Sequence, residues 1–144
     1  MNVFQNTYEQ RLRDWRQLRE TTKILPLEQQ CIEIDRWWQQ APFVTHHLSW
    51  NDATNWPDPW TLLSENTYCL LTRAVGICYT LMMNDIHVEL VYASDVMAEE
   101  HYLVSVDNAK YICNFWPDSV ISTRLNSFNI ISSKNLEFLK TKIK

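Results

Sequence analysis

The stretch SENTYCLLTRAVGICYTLMM, residues 64–83, decides the fold. Within it Tyr68, Leu71, Val75, Cys78 and Met82 recur at intervals of three and four, and Leu70, Ala74, Ile77 and Leu81 add a second apolar stripe. A helix with two apolar stripes is largely buried. Ser64 and Asn66 are both good N-caps, so the helix is expected to start near one of them and run to Met83. Its third face carries Cys69, Thr72, Arg73, Gly76 and Thr80. Gly76 is the single glycine of the chain. In mid-helix it costs about 1 kcal/mol relative to alanine, so a close approach to the strand of His101 or its neighbour is expected there.

Upstream, residues 6–23 place Tyr8, Leu12, Trp15 and Leu18 at helical spacing with charges between them. Pro26 opens a second helix lined by Leu27, Cys31, Ile34 and Trp38, which should stop near Gln40 because Pro42 biases its predecessor away from helix. These two segments, within residues 1–40, read as a helical hairpin. Residues 41–63 hold Trp50, Trp56 and Trp60 among prolines and asparagines and read as a structured loop. Downstream, Val88–Ala93 is a predicted strand, 101–106 and 110–115 form a hairpin across Asp107-Asn108-Ala109, and Phe128–Ile131 is a short fourth strand. The core helix and sheet thus span 64–131, and residues 132–144 read as a helical tail. The whole is one α+β domain, a buried central helix on a small antiparallel sheet.

With 144 residues a single domain can bury about 68–70% of its unfolded surface. The net charge of −4, with lysines and arginines dispersed, argues against nucleic acid as a partner. No apolar run is long enough for a membrane span, and Met1 to Tyr8 do not read as a secretory signal, so a cytoplasmic setting without membrane attachment is expected. Cys31, Cys69, Cys78 and Cys113 lie far apart, as reduced thiols rather than a disulfide framework. No Cys/His spacing matches a zinc site; neither metal nor cofactor is expected.

The order of these features, a Trp/Pro loop, a Cys at the start of a buried helix, a strand, a His opening the next strand and a polar residue late in the third, resembles the bacterial transglutaminase-like cysteine peptidases within the papain-like fold. In that family a loop with Trp and Pro leads into Gly-Asp-Cys-Glu-Asp-Tyr-Ala, and a later strand opens His-x-Val-Leu-x-Val before returning through Tyr-Val-Leu-Asp-Asn. The matching stretches are Trp60 to Cys69, His101-Tyr102-Leu103-Val104-Ser105-Val106 and Tyr111-Ile112-Cys113-Asn114-Phe115. The Gly-Asp before the Cys and the Glu-Asp after it are absent, and Asn114 stands where the family has Asp. A second resemblance is to small proteins of T-even-type bacteriophages, which would put the chain in the cytoplasm of an infected bacterium.

The resemblance implies acyl-thioester chemistry on a protein or peptide, with Cys69 attacking, His101 shuttling the proton and Asn114 holding the imidazole. A thiol in the first helical turn beside a cation is acidified, and Arg73 stands one turn on. Asp107, at the hairpin tip, is about 20 Å of strand away from His101, so Asn114 and Asp118 are the candidates to orient it. Trp56 and Trp60 would wall the groove. The alternative is a catalytically silent protein of the same fold that binds a host or phage protein. A hairpin loop of two or four residues would put His101, Leu103, Asn114 and Trp116 on one face.

Overall fold

The computed structural model describes residues 2–115, 121–122 and 127–143. Four α-helices, α1 (Tyr8–Thr22), α2 (Leu27–Trp38), α3 (Pro59–Glu65) and α4 (Leu70–Met83), precede the strands β1 (Val88–Ser94), β2 (Glu100–Val106), β3 (Tyr111–Cys113), β4 (Ile121–Ser122) and β5 (Asn129–Asn135). Short 3-10 turns occupy Val3–Gln5, Trp50–Asn55 and Glu137–Ile143. The sheet is antiparallel in the order β4-β3-β2-β1-β5.

Alternation along β1 and β2 sends Val88, Leu90, Val104 and Val106 into the main core with α4, and Val91, Ala93 and Leu103 into a smaller cluster with Ile112 and Phe128. Phe115 packs on that second cluster. The sheet therefore has a helix-covered face and an opposite face. Apolar residues on nearly every side of α4, ten of them or their polar neighbours fully buried from Leu71 to Leu81, follow from its central place.

Gly76 meets α2 rather than a strand. A Cβ there would lie 2.7–2.8 Å from ring carbons of Trp38. The expected contact with the strand of His101 is thus replaced by an indole laid on the helix backbone. The same turn is knit by Thr80, whose hydroxyl donates to the Gly76 carbonyl at 2.8 Å and accepts the indole N–H of Trp15 at 2.9 Å and of Trp38 at 3.0 Å.

Three boundaries differ from the sequence reading. Residues 59–63, expected in the loop, form α3 together with Ser64 and Glu65, expected at the start of the central helix, with Asp58 as N-cap accepting from the Thr61 amide and Pro59 in the first turn. Asn66 caps the C-terminus of α3 in the left-handed region at φ 53°, so it cannot cap α4; the N-cap of α4 is Cys69 itself. Residues 132–135, expected in a helical tail, instead extend the expected strand at 128–131 into β5, which pairs with β1.

Candidate active site

Cys69 is held from both sides. Before it, the Val44 amide donates to the Tyr68 carbonyl at 2.7 Å and Phe43 forms a parallel bridge with Tyr68, which seats residues 43–48 along the approach to α4. After it, α4 begins with extended backbone at Cys69 (φ −98°, ψ −178°). The thiol sulfur lies 3.2 Å from the Thr72 hydroxyl, and Cys69 as a whole is 4% exposed. Burial pushes its pKa up, but the backbone of Leu48, the hydroxyl and backbone of Thr72 and the backbone of His47 together bring it below the ordinary thiol value. Hydrogen bonds to the charged form favour it, and here amide and hydroxyl donors converge on one sulfur. The thiols of Cys78 and Cys113 are pushed up, Cys78 by burial and Cys113 by the hydrogen bond its own S–H shares with Cys31 and by burial. With Cys31 they are fully buried core residues.

Arg73 does not supply the expected cation to the thiol. Its guanidinium turns to the end of α2, donating to the Ala41 carbonyl at 2.8 Å and to the Gln39 side chain at 3.4 Å, with the Phe43 ring 5.6 Å away. Four residues on from Cys69, its side chain follows the helix surface toward the segment that α4 packs against.

Asn114 is beside the thiol-bearing turn, in a role other than the expected one. Its side-chain amide donates to the Leu70 carbonyl at 3.1 Å and the Tyr102 carbonyl at 2.8 Å, and its side-chain oxygen accepts from Gln39 at 3.1 Å. Its backbone amide donates to the Asp35 carboxylate at 2.8 Å. Asn114 thereby ties α2, the first turn of α4 and β2 together. The hairpin has the four-residue loop that parity required, Val106 pairing with Tyr111. Yet Asn114 adopts φ 65°, leaving the strand after Cys113, so its side chain reaches the helix-covered side against the alternation.

His101 points the other way. Its imidazole Nε2 lies 2.8 Å from the Asp95 carboxylate, and its ring meets Phe115 and Phe128 edge-on at 5.0 and 6.0 Å, in the cluster on the face opposite α4. The β2 side chain within electrostatic reach of Cys69 is Tyr102, whose phenol is made less acidic by burial and then by the Cys69 charge. The structure thus brings Cys69 and Asn114 to one turn and sets His101 on the far face of the same strand. The alternation of β2 carried the signal: Val104 and Val106 share a face with Tyr102, and an all-apolar pair marks the inner face.

Trp56 is a core plug, 2% exposed, with its indole N–H on the Ser49 carbonyl at 2.9 Å. Trp60 packs edge-on against Trp15 at 6.4 Å. Trp50 instead joins an aromatic cluster on the sheet, 5.8 Å from Tyr102 and 5.7 Å from Tyr92, with Tyr92 and Tyr102 stacked at 4.9 Å and the Lys134 ammonium 4.8 Å from the Trp50 ring. Asp118 and Trp116 lie outside the described residues.

This architecture, a thiol at the N-terminus of a buried helix packed on an antiparallel sheet, is the papain-like fold in its transglutaminase-like form. Among solved structures the chain is similar to Legionella pneumophila LapG, with a TM-score of 0.71 at 15% identity over 90% of this chain and 77% of that one. Calcium-bound LapG gives 0.72 at 15% over 92% and 78%, and EGTA-treated LapG gives 0.70 at 16% over 90% and 75%. No protein-family profile matches the chain, and no curated protein does. Among the described residues no helix is long and apolar enough to cross a membrane.

Proposed function

We propose that this chain binds a protein or peptide at the surface around Cys69 and does not cleave amides there. One observation carries the reading: His101 is bonded to Asp95 on the face of β2 opposite α4, while the β2 side chain within electrostatic reach of the thiol is Tyr102. Amide cleavage by a thiolate needs a group that protonates the departing amine, and that group must lie within hydrogen-bond reach. A phenol made less acidic is a poor substitute. The surface next to Cys69 offers apolar side chains: Phe43, bridged to Tyr68, is 53% exposed, and Leu70 is 39% exposed. Such side chains suit a peptide segment better than a small polar metabolite, and the likeness to LapG supports a protein as the occupant. The phage resemblance would make that partner a host or phage protein.

A second reading, a cysteine peptidase or acyl transferase working through Cys69, His101 and Asn114, draws on the lowered thiol pKa and on the fold. Iodoacetamide separates the two. The binding reading expects Cys69 to alkylate ahead of the other cysteines, His101→Ala to leave that rate within about twofold, and no peptide library to be cleaved. Cleavage abolished by both Cys69→Ala and His101→Ala would establish the peptidase and end the binding reading. Peptides selected on the wild-type surface should lose binding to Leu70→Asp; retention would move the binding site elsewhere.

A further inference from the structure

Away from the thiol, the turn joining β1 to β2 gathers a second set of reactive groups. Asp95, Glu99 and His101 each present one donor atom, and the three atoms lie within 4.8 Å of one another. The arrangement is organised by the backbone. Asp95 uses one carboxylate oxygen to accept the amides of Met97 at 2.8 Å and Glu99 at 3.0 Å, which leaves the other oxygen directed at His101 Nε2 at 2.8 Å. Phe115 and Phe128 hold the imidazole edge-on, so its nitrogen is presented to the two carboxylates from a fixed ring. The two partners, Asp95 and His101, are only 18% and 14% exposed, and Glu99 closes the group from the solvent side.

We propose that Asp95, Glu99 and His101 form a binding site for a divalent transition cation of the zinc class. The donor set selects the ion. Calcium takes six to eight oxygen ligands and gains little from an imidazole, whereas zinc, cobalt and nickel accept imidazole nitrogen together with carboxylate oxygen. Zinc–ligand distances of about 2.0–2.2 Å place neighbouring donors somewhat over 3 Å apart. The separations here reach that value through small rotations of the carboxylates. Binding replaces the His101–Asp95 hydrogen bond: the Nε2 proton leaves to solvent or to Nδ1, and both groups coordinate the ion. Three protein donors leave at least one position for water. The site is separate from the surface around Cys69 because it uses the opposite face of β2, and it stands whether or not that surface binds a peptide. Its consequence for the fold is local: the ion cross-links the turn that exposes Val96 and Met97 at 87% and 78%.

Titration calorimetry of the full chain with zinc chloride, with cobalt as a spectroscopic probe, tests the assignment. One zinc ion should bind per chain, and cobalt should give visible d–d bands. Glu99→Gln and His101→Gln should each weaken zinc at least tenfold. The glutamine at position 101 can still bond Asp95 but offers no imidazole. Cys69→Ala should leave the affinity unchanged, which separates this site from adventitious thiol binding. Melting in EDTA checks that each variant folds, and the exposed Glu99→Gln keeps the test decisive if His101→Gln does not. No binding up to about 1 mM zinc, where any useful site would raise the melting temperature, overturns the proposal. So does binding that either substitution at 99 or 101 leaves intact, or that Cys69→Ala removes.

Discussion

At the scale of single residues, Asn114 and Thr72 show how a side chain's value depends on what faces it. Asn114 donates two hydrogen bonds to main-chain carbonyls and is 7% exposed. An aspartate carries no amide donor, so Asn114→Asp would set a carboxylate against the Leu70 and Tyr102 carbonyls and near Asp35, already bonded to its own backbone. The substitution that would restore the resembled family's residue should therefore destabilise, by about 2–4 kcal/mol from the unsatisfied and repelling buried groups. Urea unfolding measures this; a stability equal to the parent would mean that Asn114 is not held as described. Asn114→Gly, which keeps the left-handed backbone but loses both bonds, should cost less. Thr72 acts on the thiol. Because its hydroxyl is one of the donors that lower the Cys69 pKa, half-maximal alkylation of the parent should come at lower pH than for an ordinary free thiol, and Thr72→Val should move it to higher pH. An unshifted midpoint in Thr72→Val would remove the hydroxyl from that account. The sequence shows Cys69 and Asn114 as residues of interest, but their partners come from Leu48, Gln39 and Asp35, separated by up to 79 positions and invisible to local spacing.

At the scale of elements, the periodic helices were legible because apolar stripes are a direct record of burial. α1, α2 and the body of α4 lie where the spacing puts them, and β1 and the hairpin do too. The ends were less legible. Asn66 suits an N-cap by composition, yet its left-handed φ makes it the C-cap of the preceding helix, and the Asp58-Pro59 start signal of that helix was hidden among tryptophans. The start of β5 is legible in Phe128–Ile131, but its second half, Ser132 to Asn135, is polar and without a buried residue, so no alternation announces that the strand continues. Gly76 was recognised as a close contact but assigned to the wrong element, because a one-dimensional pattern gives the face of a helix and not its neighbour. The contact itself makes a sharp prediction. Gly76→Ala puts a methyl within 2.8 Å of a fully packed indole whose N–H is anchored on Thr80, so the ring cannot swing aside without losing that bond. The expected cost is about 1–3 kcal/mol, against the stabilisation that Gly→Ala gives at an open helical site. A variant that melts at or above the parent temperature would show that Trp38 yields freely.

At the scale of the whole molecule, the central sheet separates two chemistries that the linear order had joined. Strand β2 sends Tyr102 to the thiol and His101 to the Asp95 turn, so two adjacent residues serve opposite faces. The order Cys, His, Asn along the chain is the same as in an acyl-transfer site, but only the alternation of β2 decides whether the imidazole meets the thiol. This gives a way to test the geometry by moving one side chain. Tyr102→His places an imidazole on the helix-covered face, beside Cys69 and over the Asn114 amide that already bonds the backbone of that residue. An imidazole there should form an ion pair with the thiolate, lower the thiol pKa further and speed its alkylation near neutral pH by about tenfold or more. The gain should vanish in Tyr102→Phe, which keeps the stacking on Tyr92 and Trp50 without a base. Loss of part of that aromatic stack should cost Tyr102→His about 0.5–1.5 kcal/mol, small enough for the domain to stay folded. His101→Ala in the same background should leave the accelerated rate alone. If instead His101→Ala slows Cys69 in the parent and Tyr102→His does nothing, then the imidazole of His101 reaches the thiol in solution and the two faces of β2 are not the barrier that the alternation makes them.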